Sequence, residues 1–248
     1  MSVPPATRAS AGPGRAALRP FIVAIDGPAG AGKSTVSRRL AMALGLALVD
    51  TGAIYRTVAL AASRCGIAFD DDAALGGLLP GLRIRFEPAE GGQRVLLGDD
   101  DVSALIRTPA MSLGASAVSA RRVVRAGLLG LQRRLALDPG QRGAVLEGRD
   151  IGTVVFPDAD AKFFLTASPE ERARRRHVEL SARGDPASYE EVLADQRRRD
   201  RDDSERAIAP LRPAPDAVVV DTSGTPLEDV VEALVREVRA RLAGRGTR

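Results

Sequence analysis

The chain has no tryptophan, and aromatic residues of all kinds make up only 3% of its 248 residues. Its core must therefore be packed from Ala, Leu and Val. It has one histidine, His177, and one cysteine, Cys65. That excludes a histidine dyad, a Cys/His zinc cluster and an internal disulfide. A lone thiol suits a reducing compartment, so a cytoplasmic protein is expected. No apolar run approaches the ~20 residues of a membrane helix, and no membrane partner is expected. Lysine is nearly missing: of 36 basic residues, only Lys33 and Lys162 are not arginine. Residues 1–19 hold no acid and lack the apolar segment of a secretion signal. They faintly resemble an organelle transit peptide, but composition favours a disordered extension.

The net charge of +4 is the small difference between 36 basic and 32 acidic residues. The clusters Arg174-Arg175-Arg176 and Arg197-Arg198-Arg199 have acids nearby. With so few rings to stack bases, the charge suits a small anionic substrate better than a nucleic-acid track. A nucleotide-dependent nucleic-acid binder is the alternative outside enzymes, and no nucleic-acid partner is expected. Tyr55 and Tyr189 are read as packing residues rather than stacking platforms.

The stretch Gly27, Pro28, Ala29, Gly30, Ala31, Gly32, Lys33, Ser34 fits the phosphate-binding pattern G-x-x-x-x-G-K-[ST], and Thr35 follows it. Its flanks fit too. Phe21–Ile25 is a short apolar strand, and Val36, Leu40 and Leu44 recur at helical spacing after it. Small residues let the backbone approach a polyphosphate, whose charge meets inward N–H groups and the positive helix end. Lys33 can place an ammonium on the terminal phosphates, and Ser34 can ligate Mg2+. The motif implies ATP or another nucleoside triphosphate and leaves the fate of the phosphate open.

Strand signals at Phe21–Ile25, Leu46–Val49, Ala144–Leu146, Lys162–Thr166 and Ala217–Val220 alternate with helical patterns. This predicts an α/β fold: a parallel sheet covered on both faces, with its site beyond the carboxyl ends of the strands. Asp26, Asp50, Arg149 and Asp150 fall at those ends. A β-hairpin, Leu82–Phe86 and Arg94–Leu97 with a turn at Glu90-Gly91-Gly92, marks residues 67–110 as an insert. Residues 167–212 read as two charged helices around Gly184-Asp185-Pro186, a lid. The core is then 20–66, 111–166 and 213–248. Arg199, Asp203 and Arg206 at i, i+4, i+7 share a helix face, which alone is an ordinary surface ion-pair stripe. A charged pair such as Arg149-Asp150 at a strand end needs a ligand or partner.

The motifs G-P-A-G-A-G-K-S-T, D-T-G-A-I-Y-R, I-R-T-P, E-G-R-D-I-G-T-V-V-F-P-D-A and R-D-R-D-D-S-E-R-A-I-A-P-L occur in this order. The set resembles bacterial cytidylate kinases over about nine-tenths of the chain. Glu147 departs from the family, where many members carry Asp, but keeps the carboxylate. The resemblance implies a three-layer P-loop kinase core with a five-stranded parallel sheet, a nucleoside-monophosphate-binding insert and a short helical lid. It also implies transfer of the γ-phosphate of ATP, with Mg2+, to CMP or dCMP by a protein expected to be a monomer. By the same resemblance, Thr51 and Arg56 hold the monophosphate side. Ser116, Arg125 and Asp150 surround the cytosine, and Arg149 and Arg206 contact phosphate. Arg199 and Asp203 lie near the ribose, and Arg172, Arg175 and Arg176 close over the phosphates. Another P-loop small-molecule kinase, an adenylate or shikimate kinase relative, is the alternative among enzymes. The insert and E-G-R-D-I-G-T argue against it.

Overall fold

The computed structural model describes residues 19–89, 92–138, 140–182, 184 and 186–245. The expected extension, apart from Arg19, lies outside them, as do Glu90, Gly91 and Asp185 of the two expected turns.

Five parallel strands form the main sheet in the order β2 (Ala47–Asp50), β6 (Gly143–Gly148), β1 (Phe21–Asp26), β7 (Ala161–Thr166), β8 (Val218–Asp221). All six residues of β1 are buried, as are all six of β6, because both sheet faces are covered. On one face Phe21, Val23, Ile25, Phe163 and Leu165 pack against α1 (Lys33–Leu44) and α8 (Leu227–Arg245). On the other, Ile22, Ala24, Ala144 and Leu146 pack against Ala136 of α5 (Arg122–Ala136) and against Ile151 and Val155. Each such aliphatic side chain contributes roughly 1.5–3 kcal/mol. No ring larger than Phe or Tyr is needed, as the composition requires.

The remaining elements flank the carboxyl edge. After α2 (Thr51–Arg64) and α3 (Asp72–Leu78), strands β3 (Ile84–Ala89), β4 (Gly92–Leu97) and β5 (Asp100–Asp101) form a small antiparallel sheet. The hairpin is as expected, with ends shifted by a few residues; the short third strand has no sequence signal. Gln93 Nε2 donates to Leu48 O at 2.8 Å and ties this sheet to β2. Helices α4 (Pro109–Ser119), α6 (Pro169–Ser181) and α7 (Tyr189–Glu205) complete the rim. Between β6 and β7 the chain makes one turn of π-helix, Ile151–Val155.

Candidate active site

The phosphate-binding loop leaves β1 through Gly27, whose φ of 146° and tight fit admit only glycine: a Cβ there would lie 2.0 Å from Leu165 O. Gly32 (φ 84°) caps α1, directing the helix's positive end and the amides before it toward one point. Lys33 Nζ donates to Pro28 O at 2.7 Å, and Ser34 Oγ donates to Glu147 Oε2 at 2.8 Å. Burial pushes the Lys33 ammonium down to about 7, with Arg149 adding repulsion. Burial likewise pushes Glu147 up to about 7, with Asp50 adding to it. The two groups partly offset each other, and Asp203, Asp26 and Arg56 add to this without restoring either to its ordinary value.

Opposite the loop lies a basic wall. Asp50 caps α2 by accepting from Ala53 N (2.9 Å), and its other oxygen takes Arg56 Nη2 at 2.9 Å. Thr51 Oγ1 donates to Glu147 O at 2.7 Å, so Asp50 and Thr51 of D-T-G are both fixed at the end of β2. Arg125 donates to Tyr55 Oη at 3.0 Å, lies over the Tyr55 ring at 5.7 Å, and comes within 3.4 Å of Asp150. That last contact is too poorly aligned to be a hydrogen bond. Burial raises the Asp150 carboxyl above its usual range, against the pull of Arg125, Arg206 and Arg149. Arg149 Nε donates to Asp203 Oδ2 at 2.8 Å, and Arg206 approaches Asp203 at 3.6 Å. Burial alone would raise Asp203, but Arg149, Arg206 and Arg199 together hold it low.

The two sides enclose one cleft of about 660 Å³. It brings together Ala29, Gly30, Lys33, Ser34, Thr35, Thr51, Arg56, Ser116, Arg125, Arg149, Asp150, Arg176, Arg199, Asp203 and Arg206 from the expected set. Gly27, Pro28, Ala31 and Gly32 shape the loop without lining the cleft. Four buried guanidinium nitrogens have no hydrogen-bond partner among the described residues: Arg56 Nε, Arg125 Nε, Arg125 Nη2 and Arg206 Nη2. An unmade charged hydrogen bond in a buried site is costly, so these donors mark where anionic and polar ligand atoms belong.

The structure corrects one expectation and places two other expected arginines outside the cleft lining. Arg206 does not share the helix with Arg199 and Asp203: α7 ends at Glu205, and Arg206 has extended backbone (φ −59°, ψ 138°). Closure of the chain, with Leu211 N donating to Asp203 O at 2.7 Å, brings its side chain back to Asp203. Arg172 does not line the cleft. It is buried, and its donors are committed to Ala167 O, Ala29 O and both oxygens of Asp200. Arg175 is spent on Glu171 and on Thr222 Oγ1 and O, outside the cleft lining. Tyr189 packs edge-on against His177 at 6.4 Å, as a packing residue should. Tyr55 is buried in the core and also lines the cleft.

Sequence reasoning passed over Arg38, Gln93, Arg107 and Gln196, which line the same cleft. Arg107 stands inside the I-R-T-P motif, a signal that was there to use. Gln196 sits one turn before Asp200 on α7, where it is 4% exposed; in so charged a helix no sequence pattern marks it.

Residues 23–240 match a family model described as cytidylate kinase. A cytidylate kinase of Geobacter sulfurreducens is 55% identical over 226 residues, 91% of this chain and 96% of that protein. One of Mycolicibacterium paratuberculosis is 52% identical over 220 residues, 89% and 96% of the two chains. One of Citrifermentans bemidjiense is 51% identical over 222 residues, 90% and 94%.

Proposed function

The chain belongs to the cytidylate kinase family, and we infer that it transfers the γ-phosphate of ATP to CMP or dCMP, giving ADP and CDP or dCDP. The observation that supports this best is the set of unpartnered buried arginine donors facing a phosphate-binding loop across one cleft.

The acceptor oxygen belongs to a phosphate already ionised near neutral pH, so no general base is required. What remains is to bring two polyanions together in line and to offset their repulsion. In our reading Lys33 and the loop amides hold the triphosphate of ATP. Arg56, Arg149 and Arg206 hold the acceptor phosphate; permanently charged, forked guanidinium groups suit that task. Arg176, which lines the cleft from α6, adds charge on the lid side. Arg199, Asp203 and Thr51 place the sugar and phosphate of the acceptor.

The donor set also fits Mg2+. Ser34 Oγ and Glu147 are hard oxygen ligands beside the triphosphate position. Among the described residues there is no cluster of three or more His, Cys, Asp or Glu that would form an all-protein cage. Mg2+ is normally held by one or two protein oxygens, phosphate and water. Ser34 and Glu147 would hold it, and when bound it supplies charge neutralisation on the transferring group.

Base choice follows from Arg125, Asp150 and Ser116. A carboxylate at Asp150 accepts from the N4 amine of cytosine, while the free donors of Arg125 serve its N3 and O2 acceptors. Uracil would turn an oxygen on the carboxylate, a mismatch worth ~1–3 kcal/mol. The test is an assay of ADP release with CMP, dCMP, UMP and AMP. ADP production dependent on CMP and dCMP is expected; equal rates with AMP, or none with CMP, would overturn the reading.

A further inference from the structure

The π-helical turn Ile151–Val155 directly follows Arg149 and begins at Asp150, its N-cap residue. Single π turns tend to mark functional sites because they cost regular hydrogen bonding. Here the turn is held at three points by side chains from other elements. Asp26, the last residue of β1, accepts from Ile151 N and from Gly152 N, both at 2.8 Å and one on each carboxylate oxygen. Arg133 of α5 donates to Val155 O at 2.9 Å. Lys162 of β7 donates to Pro157 O beyond the turn, and its stem runs under Gly152. A Cβ on Gly152 would lie 3.2 Å from Lys162 Cδ and 3.4 Å from Asp26 Oδ2. The seat therefore has little slack.

Asp26 is 4% exposed and directly precedes Gly27, the first residue of the phosphate-binding loop. It does not line the cleft, although its charge acts on Lys33 on the loop side and on Asp150 on the acceptor side. We infer that Asp26 is a positioning residue: its two-oxygen grip on the turn fixes Arg149 and Asp150 relative to the phosphate-binding loop, so that one carboxylate sets the register between acceptor and donor. Lys162, one of only two lysines, closes the other end of the same clamp. Its single compact ammonium fits between Pro157 O and Asp216, 2.8 Å away, where a guanidinium fork would not.

The inference rests on the proposed function in that Arg149 and Asp150 meet the acceptor. The test is steady-state kinetics of the full-length protein carrying Asp26→Asn, with CMP and UMP as acceptors. Asn keeps the volume but turns a donor toward one of the two amides. The KM for CMP should rise about tenfold or more and the preference for CMP over UMP should shrink, while the KM for ATP stays within about twofold. A folded variant with unchanged KM for CMP overturns the assignment. So does an equal loss toward ATP, which would make Asp26 a support of the phosphate loop alone. If Asp26→Asn does not fold, Lys162→Met carries the same test from the other end of the clamp: the same split in smaller degree supports the inference, and no split overturns it. Asp150→Ala separates the two levels. If it leaves CMP handling unchanged, the acceptor reading fails; if it impairs CMP handling while Asp26→Asn is silent, only the inference fails.

Discussion

At the scale of single residues, function rests on buried polar groups lacking some of their partners. Arg125 satisfies one nitrogen on Tyr55 and leaves Nε and Nη2 without a hydrogen bond, Nη2 lying 3.4 Å from the Asp150 carboxylate. Asp150→Ala should therefore lower the ratio of kcat/KM for CMP over UMP by about tenfold, from the ~1–3 kcal/mol of a mismatched buried polar pair. An unchanged ratio would remove Asp150 from base reading. Arg206→Ala should lower kcat by about 10²-fold, the usual loss for one preorganised donor at a developing charge. Asp26 makes a separate prediction for stability. Burial raises its carboxyl from 3.8 to about 6, so between those values the unfolded chain ionises while the folded one keeps its proton. Folding stability conferred by the protonated acid is complete below pH ~4, falls as pH rises and is lost by pH ~6, on the order of 3 kcal/mol in all. Denaturant titrations of the ligand-free protein should show the wild type losing stability relative to Asp26→Asn across that window and holding a constant difference above it.

Elements decide which residues were legible in the sequence. The loop, Asp50, Arg149 and Asp150 could be placed because each lies at or directly after the end of a strand with a clear apolar pattern, and the parallel sheet sends such ends to one edge; Thr51 and Arg56, at the start of α2, were placed by the family resemblance. Arg206 was misplaced because helical spacing was carried one residue past the end of α7, which no glycine marks. Arg172 looks like any lid arginine in R-A-R-R-R; only the packing of α6 on α7 shows that its guanidinium is buried against Asp200 and Ala29 O. Asp26 was recognised as a strand end, yet its partners are backbone amides distant in sequence, and no side-chain pattern encodes those. Arg172 ties α6 to α7 at Asp200 and to the phosphate loop at Ala29 O. Arg172→Ala should cost about 3–5 kcal/mol, since it leaves the Asp200 charge without its partner; thermal unfolding would show it. If the lid expected from the sequence closes and excludes water, ATP hydrolysis with and without a non-reactive CMP analogue should differ, and equal rates would rule closure out.

For the whole molecule, two half-sites share one cleft: in our proposal the loop after β1 takes the triphosphate, and an arginine wall from α2, the end of β6, α5 and α7 with its C-terminal continuation takes the monophosphate. Scarce histidine, cysteine and aromatics fit this division, because positioning and charge are the chemistry required. Among the described residues no helix is long and apolar enough to cross a membrane. If the halves face each other in line, one ligand should span them. The decisive measurement is the thermal midpoint with a compound joining cytidine and adenosine 5′ to 5′ through five phosphates. The midpoint should rise further than with saturating ATP or CMP alone, and Lys33→Met or Arg206→Ala should each remove most of the gain. A shift no larger than that from ATP alone would contradict the shared cleft.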